Sequence, residues 1–247
     1  MMSKRKFYIG CSGWSYDSWV ARFYPTELKK KEWLEYYAQH FNTVEINMSF
    51  YRFPARKTLN AWYNKTAKGF LFALKANRMI THVKKLKGTE KSLGLFYSLA
   101  DELKDKLACI LFQIPPSLTK DRHIKTLEGF LKSLSPDHKN VIEFRHKSWF
   151  CKEVYDLLSS HKTIFCILSA PKLPSDVVVT GRLAYVRFHG VDSWYDYHYS
   201  QEELRQWAEK IKKLRVDTFA YFNNDWYAYA PHNGLELEKM LKGSSRR

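Results

Sequence analysis

A chain of 247 residues that is 45% hydrophobic and 16% aromatic has the apolar content to bury a core, which excludes wholesale disorder. No apolar run approaches the ~18 residues of a membrane span, the first residues carry charge with no apolar signal stretch, and the four cysteines form no CxxC pair. A cytoplasmic protein without membrane contact, disulfides or structural zinc is expected, and the formal charge of +16 points to anionic partners, either small molecules or nucleic acid.

Short apolar or β-branched runs alternate with helical periodicity along the whole chain. In order, the expected strands are Phe7 to Cys11, Thr43 to Asn47, Phe70 to Lys75, Ala108 to Gln113, Val141 to Arg145, Thr163 to Leu168, Ala184 to His189 and Thr218 to Asn223. Most are apolar on both sides, as in parallel strands covered on both faces. Between them lie helical faces such as Leu34, Tyr37, Ala38 and Phe41, or Ile124, Leu127, Leu131 and Leu134. Ser200 and Glu203 form a capping box ahead of Leu204, Trp207, Ala208, Ile211 and Leu214. After the sixth strand, Pro171 and Pro174 mark an irregular segment in place of a helix. Eight βα repeats without a linker suit one α/β domain over residues 1–242, a (β/α)8 barrel of the TIM type, with 243–247 a flexible basic tail. A doubly wound open sheet is the structural alternative.

In such a barrel the chemistry sits at strand C-termini. Three strands end polar, apolar, polar: Glu45-Ile46-Asn47, Glu143-Phe144-Arg145 and Arg187-Phe188-His189. Alternation along a strand puts each polar pair on one face. Lys75 and Gln113 end the third and fourth strands, and Asn223, Asn224 and Asp225 follow the eighth. Buried charges are costly unless paired or liganded, so their convergence points to a site. Loop residues Trp14, Tyr16, Tyr51, His82, His146, Trp149, Trp194 and Tyr195 add rings and hydrogen-bonding groups suited to sugars or bases. Cys11 lies at the same rim with no base near it in sequence.

The segments IGCSGWSYDSW, FYP, FNTVEINMSFYRFP, FALKANRMITH, LFQIPPS, IEFRHKSWF, VRFHG and YFNND, in that order, resemble the domain of unknown function 72 family, also called YecE-like. The resemblance runs from Ile9 to about Leu241 and implies a (β/α)8 barrel with a pocket of unestablished activity. It also suggests kinship to sugar isomerases and endonuclease IV-like nucleases. Its motif falls on Glu45, Asn47, Tyr51, Lys75, His82, Gln113, Glu143, Arg145, Trp149, His189, Asn223 and Asn224. This chain departs from it at Ser169, where relatives often carry an acid, and at Asn233-Gly234, where many have Asn-Ala.

The first functional expectation is an enzyme using Glu45 and Glu143 as acid and base with Lys75 and His189. Trp14, Asn47, Tyr51, His82, Gln113, Arg145, His146, Trp149, Arg187, Asn223 and Asn224 would then contact an anionic substrate, a sugar phosphate or a nucleic-acid phosphate. No cofactor is expected; a divalent metal on Glu45, Glu143, His189 and Asp225 is the variant weighed against that. The alternatives are a binding protein for nucleic acid or an anionic metabolite, and a scaffold with a vestigial site. Nothing in the pattern speaks to oligomeric state.

Overall fold

A computed structural model describes residues 5–243. The expected tail beyond Gly243 lies outside the described residues. Eight strands form: β1 (Phe7–Cys11), β2 (Thr43–Ile46), β3 (Leu71–Lys75), β4 (Leu107–Ile114), β5 (Asn140–Phe144), β6 (Ile164–Ser169), β7 (Leu183–Phe188) and β8 (Asp217–Phe222). Each falls within one residue of its expected bounds at either end. They belong to one sheet ordered β1-β8-β7-β6-β5-β4-β3-β2, and the pairs β1/β8, β3/β4, β4/β5, β5/β6 and β7/β8 are parallel. Neighbours follow chain order and β8 lies beside β1, whereas a doubly wound sheet reverses its order at a switch point. The fold is an α/β barrel of the TIM type, eight parallel strands with helices between them.

By compactness the chain divides into two units: Met1–Glu45, Ile167–Val177 and Leu183–Arg247 in the first, Ile46–Cys166 and Val178–Arg182 in the second. In the first, Tyr37 ties β1 to β2, since its hydroxyl donates to the Thr43 carbonyl (2.9 Å) and accepts the Cys11 N–H (2.8 Å). Gly10 permits that approach: a Cβ there would stand 2.2 Å from the Thr43 oxygen. The helix Gln201–Lys213 begins as the capping box requires, Ser200 Oγ accepting the Glu203 N–H (3.3 Å) and Glu203 Oε2 accepting the Ser200 N–H (2.8 Å). Its buried face is Leu204, Trp207, Ala208 and Ile211.

In the second unit, the helix Lys120–Ser133 buries Leu127, Phe130 and Leu131. The helix Arg56–Lys65 ends against a buried amine, because Lys106 Nζ donates to the carbonyls of Tyr63 and Thr66 (2.6 Å each), which have no acceptor role left inside the helix. After β6 the chain makes no helix, as the prolines imply. Thr180 stitches that segment down within the second unit: Oγ1 accepts the Phe165 N–H and donates to the Thr163 carbonyl, both at 2.7 Å.

Candidate functional site

In the first unit the strand ends gather Glu45, Arg187 and His189, each without solvent exposure. Glu45 Oε1 accepts from Ser12 Oγ and Arg187 Nη2, and Oε2 accepts from the Tyr185 hydroxyl, all at 2.6 Å. Three donors around one carboxylate and a guanidinium in contact are what a buried ion pair needs to offset its desolvation. Arg187 Nη1 lies 3.3 Å from His189 Nε2. A guanidinium can only donate, so Nε2 takes that hydrogen bond on its lone pair. A neutral imidazole has one lone pair, so Nδ1 carries the hydrogen; Asn223 Nδ2 stands 3.2 Å from it, and the amide accepts that hydrogen once turned end for end. The His189 ring packs against Trp194 and Tyr195, with centroids 5.3 and 5.7 Å away. Gly190 (φ 120°) starts that loop where a Cβ would lie 2.0 Å from the Ser193 oxygen.

Asp225 stands at the edge of this network. Burial drives its carboxyl up to about 7; Glu45 adds to the rise, while Tyr16 and Arg187 oppose it. The Tyr16 hydroxyl has one hydrogen for two acceptors and gives it to the Ser12 carbonyl (2.6 Å), leaving Asp225 Oδ1 out of solvent contact with no hydrogen-bond partner. Burial, with Asp225 beside it, also pushes the Tyr16 phenol and the Cys11 thiol well above their ordinary values. Burial thus disfavours the Cys11 thiolate that a nucleophile at this rim would need.

In the second unit a different cluster forms. Gln113 and Glu143 are direct neighbours in the β4/β5 register, and Gln113 Nε2 donates to Glu143 Oε1 (3.1 Å), which also accepts from Arg145 Nε. Lys75 Nζ lies 4.2 Å from the centroid of the Phe50 ring, and the His82 ring meets the same phenyl edge-on at 4.9 Å. His82 sits in a single π-helical turn, Met79–Val83, with Nδ1 2.8 Å from Thr81 Oγ1. Burial lowers its imidazole to about 4, helped by Lys75, Arg78 and Arg145 and opposed by Glu143.

Other expected contact residues have local structural employment. Trp149 is buried, stacked on Phe144 (4.9 Å), and donates Nε1–H to the Leu118 carbonyl (2.7 Å). His146 accepts the Ser148 N–H at the start of a short helix (3.2 Å). Asn224 Nδ2 bonds the Tyr197 carbonyl (2.7 Å) and Asn233 Oδ1 (2.9 Å), which fastens the loop after β7 to the helix Tyr229–Lys242. Asn47 is half-buried just ahead of the short helix Met48–Tyr51, and its carbonyl accepts the Phe50 N–H (3.0 Å). Tyr51, on that helix, is 71% exposed, and Trp14 is half-buried with its carbonyl taken by Tyr24.

Sequence reasoning passed over Tyr185, which period-2 alternation places on the same face as Arg187, and gave Asp225 no role beyond metal ligation. It missed Arg78, and also Trp226 and Tyr227 (58% and 52% exposed), which follow Asp225. Tyr227, Ala228 and Tyr195 hold positive φ (52°, 62° and 68°), a strain that clusters in loops with functional duties. Among the described residues no group of three or more His, Cys, Asp or Glu side chains could hold a metal ion. The glutamates weighed as ligands are instead bonded to arginine. Among the same residues, no helix is long and apolar enough to cross a membrane.

This architecture is shared with proteins of known sequence and structure. The UPF0759 protein YunF of Bacillus subtilis is 28% identical over 269 residues, covering 95% of this chain and 94% of the relative. The UPF0759 protein YecE of Escherichia coli K12 is 27% identical over 239 residues, covering 87% and 84%. A crystal structure of a DUF72 family protein from Thermotoga maritima superposes with a TM-score of 0.89 at 32% identity, covering 97% of this chain and all of that one. That of SacUVDE, at 9% identity and a TM-score of 0.62 over 97% of this chain and 98% of the other, shares the fold alone. The family model described as "Protein of unknown function DUF72" matches residues 8–247, and the chain belongs to that family.

Proposed function

We propose that this chain is an enzyme that moves protons on an anionic, phosphorylated substrate, a sugar phosphate or a nucleic acid, with Asp225 as the group that gains and loses the proton. The observation that carries this reading is the pair of buried carboxyls in the first unit. Glu45 has its acceptor sites filled by Ser12, Tyr185 and Arg187, while Asp225 keeps Oδ1 unpartnered and titrates at about 7. Two carboxyls whose surroundings push them to different duties are the mark of acid–base sites, and a general acid or base works best with its pKa near the working pH. Glu45 serves to hold Arg187, whose guanidinium in turn sets the tautomer of His189. Glu143 holds Arg145 in the same manner. Tyr195, Trp226 and Tyr227, 44–58% exposed on the loops after β7 and β8, are suited to stacking on a sugar ring or base. Cys11, Cys109, Cys151 and Cys166 form no disulfide among the described residues, which accords with a reducing compartment such as the cytoplasm.

The test is a product survey. The protein is incubated with a panel of sugar phosphates and with single-stranded and duplex oligonucleotides, and products are read by mass spectrometry and phosphorus NMR. Asp225→Asn should lower turnover by roughly 10² to 10⁴ fold and abolish a bend in the rate profile near pH 7. Full activity in Asp225→Asn would overturn the assignment.

The exposed aromatics favour a second reading, a protein that binds nucleic acid without chemistry. It expects no turnover anywhere in the panel and oligonucleotide affinity that falls steeply with salt.

A further inference from the structure

The loops that follow β7 and β8, both in the first unit, differ in charge from the rest of the chain. Residues 190–200 and 223–229 hold seven tryptophans and tyrosines and three aspartates, with no lysine or arginine. Lysine and arginine make up 41 of 247 residues, one in six, so these eighteen residues would hold about three at the average rate. Asp192 and Asp196 are exposed on the first loop, and Asp225 precedes Trp226 in the second. Arg22, from the segment after β1, brings one guanidinium over the Tyr227 ring, 5.2 Å from its centroid.

The rings of the two loops are joined into one surface. The Trp226 N–H meets the Tyr195 carbonyl (3.4 Å), which brings the loops together. The Trp226 and Tyr227 rings stand 5.8 Å apart at 85°, a floor and a wall. Tyr195 packs on Trp194 (5.8 Å), and both rings reach His189 of the candidate site. Tyr195, Trp226 and Tyr227 stay 44%, 58% and 52% exposed, and both tyrosines sit in left-handed backbone (φ 68° and 52°). Rings kept in water on a strained backbone mark a contact surface.

Charge selects what that surface takes. A nucleic-acid strand carries a phosphate for each base it could stack, and proteins meet those phosphates with lysine and arginine. Here the phosphates would face aspartates. A sugar ring is uncharged, its C–H face can lie on an indole or phenol, and its hydroxyls donate to carboxylate oxygens. Asp225 Oδ1, buried without a hydrogen-bond partner, belongs to the residue just before Trp226. We propose that Tyr195, Trp226 and Tyr227 form a subsite for a sugar ring, so that the substrate is a sugar phosphate and not a nucleic-acid strand. The proposal rests on the reading of the substrate as phosphorylated and chooses between its two classes.

The probes are ribose 5-phosphate, glucose 6-phosphate and fructose 6-phosphate, with a short oligothymidylate as the strand, each added to the full chain. Saturation-transfer NMR reads which ligand protons touch the protein, and titration reads affinity. At least one sugar phosphate should show its ring C–H protons in contact, with affinity lowered about two- to tenfold by Trp226→Ala and by Tyr227→Ala and kept by Trp226→Phe. Both rings are exposed, so these variants should fold. Leu95→Ala, at an exposed side chain of the second unit, should change nothing. Oligothymidylate should bind the parent no better than the ring variants. The absence of ring contacts from all of these sugar phosphates overturns the proposal, and so does an oligothymidylate affinity that falls in Trp226→Ala and Tyr227→Ala. Asp225→Asn, inactive on the acid–base reading, should keep the ring contacts, since its amide leaves an acceptor in place. Turnover of an oligonucleotide that depends on Asp225 overturns the sugar subsite alone. Full activity of Asp225→Asn on a sugar phosphate, with ring contacts intact, overturns the acid–base reading alone.

Discussion

The two strand-end clusters use the same pair of residue types and put them to different ends. Glu45 and Arg187 are both sealed, with no exposure of either side chain, whereas in the Glu143–Arg145 pair the arginine keeps 12% of its side chain accessible. In the first unit Glu45 has donors on both carboxylate oxygens, while Asp225 Oδ1 has no hydrogen-bond partner. In the second, Glu143 accepts from Gln113 and Arg145, and the Arg145 side chain stays within reach of water. A sealed pair can only position its neighbours; a pair whose guanidinium water reaches can also meet a ligand.

The largest effect expected from this contrast is on stability. Glu45→Ala leaves Arg187 buried without its carboxylate and should cost about 3–5 kcal/mol in urea denaturation, while Glu143→Ala leaves Arg145 able to turn to water and should cost about 1–3 kcal/mol. Equal costs would erase the distinction between the clusters.

The next effect is on pH dependence, where the clusters oppose one another. The Asp225 carboxyl binds its proton more tightly in the folded chain, so its contribution is present at low pH and is lost as pH rises from about 4 to about 7, up to about 4 kcal/mol in total. Asp225→Asn should remove that loss. His82, held down to about 4, works the other way: the unfolded chain takes up a proton first, so stability falls as pH drops from about 6.5 to about 4. His82→Gln should flatten that acid limb by a smaller amount, because the ring is only half-buried. Stability curves of the two single variants and the double variant between pH 4 and 8 check both signs. A wild-type curve changed in the same direction by both substitutions would contradict the opposition.

The smallest stability effect belongs to the exposed aromatics. Trp226→Ala should leave stability within about 0.5 kcal/mol of the parent. If the ring stacks on a base, the same change should weaken oligonucleotide binding by about 1–3 kcal/mol, read by titration at fixed salt.

Much of this was legible from residue order. Strand positions came from apolar runs and helix faces from 3.6-residue spacing. The missing helix after β6 followed from Pro171 and Pro174, because all three signals are local and the chain cannot form the element without them. The polar-apolar-polar strand ends placed Glu143 with Arg145 and Arg187 with His189, since alternation puts residues two apart on one side. Local pattern could not say that Trp149 and Asn224 would be absorbed by packing and loop fastening, nor that Glu45 would find its cation 142 positions away. Nor could it single out Asp225, a strand-following acid like any other until burial, Glu45 and Tyr16 act on it together. A strand or a cap depends on neighbours within a few residues, so sequence spells it out. The proton affinity of a carboxyl depends on which charges and how much water surround it, and those are assembled by folding from the two ends of the chain.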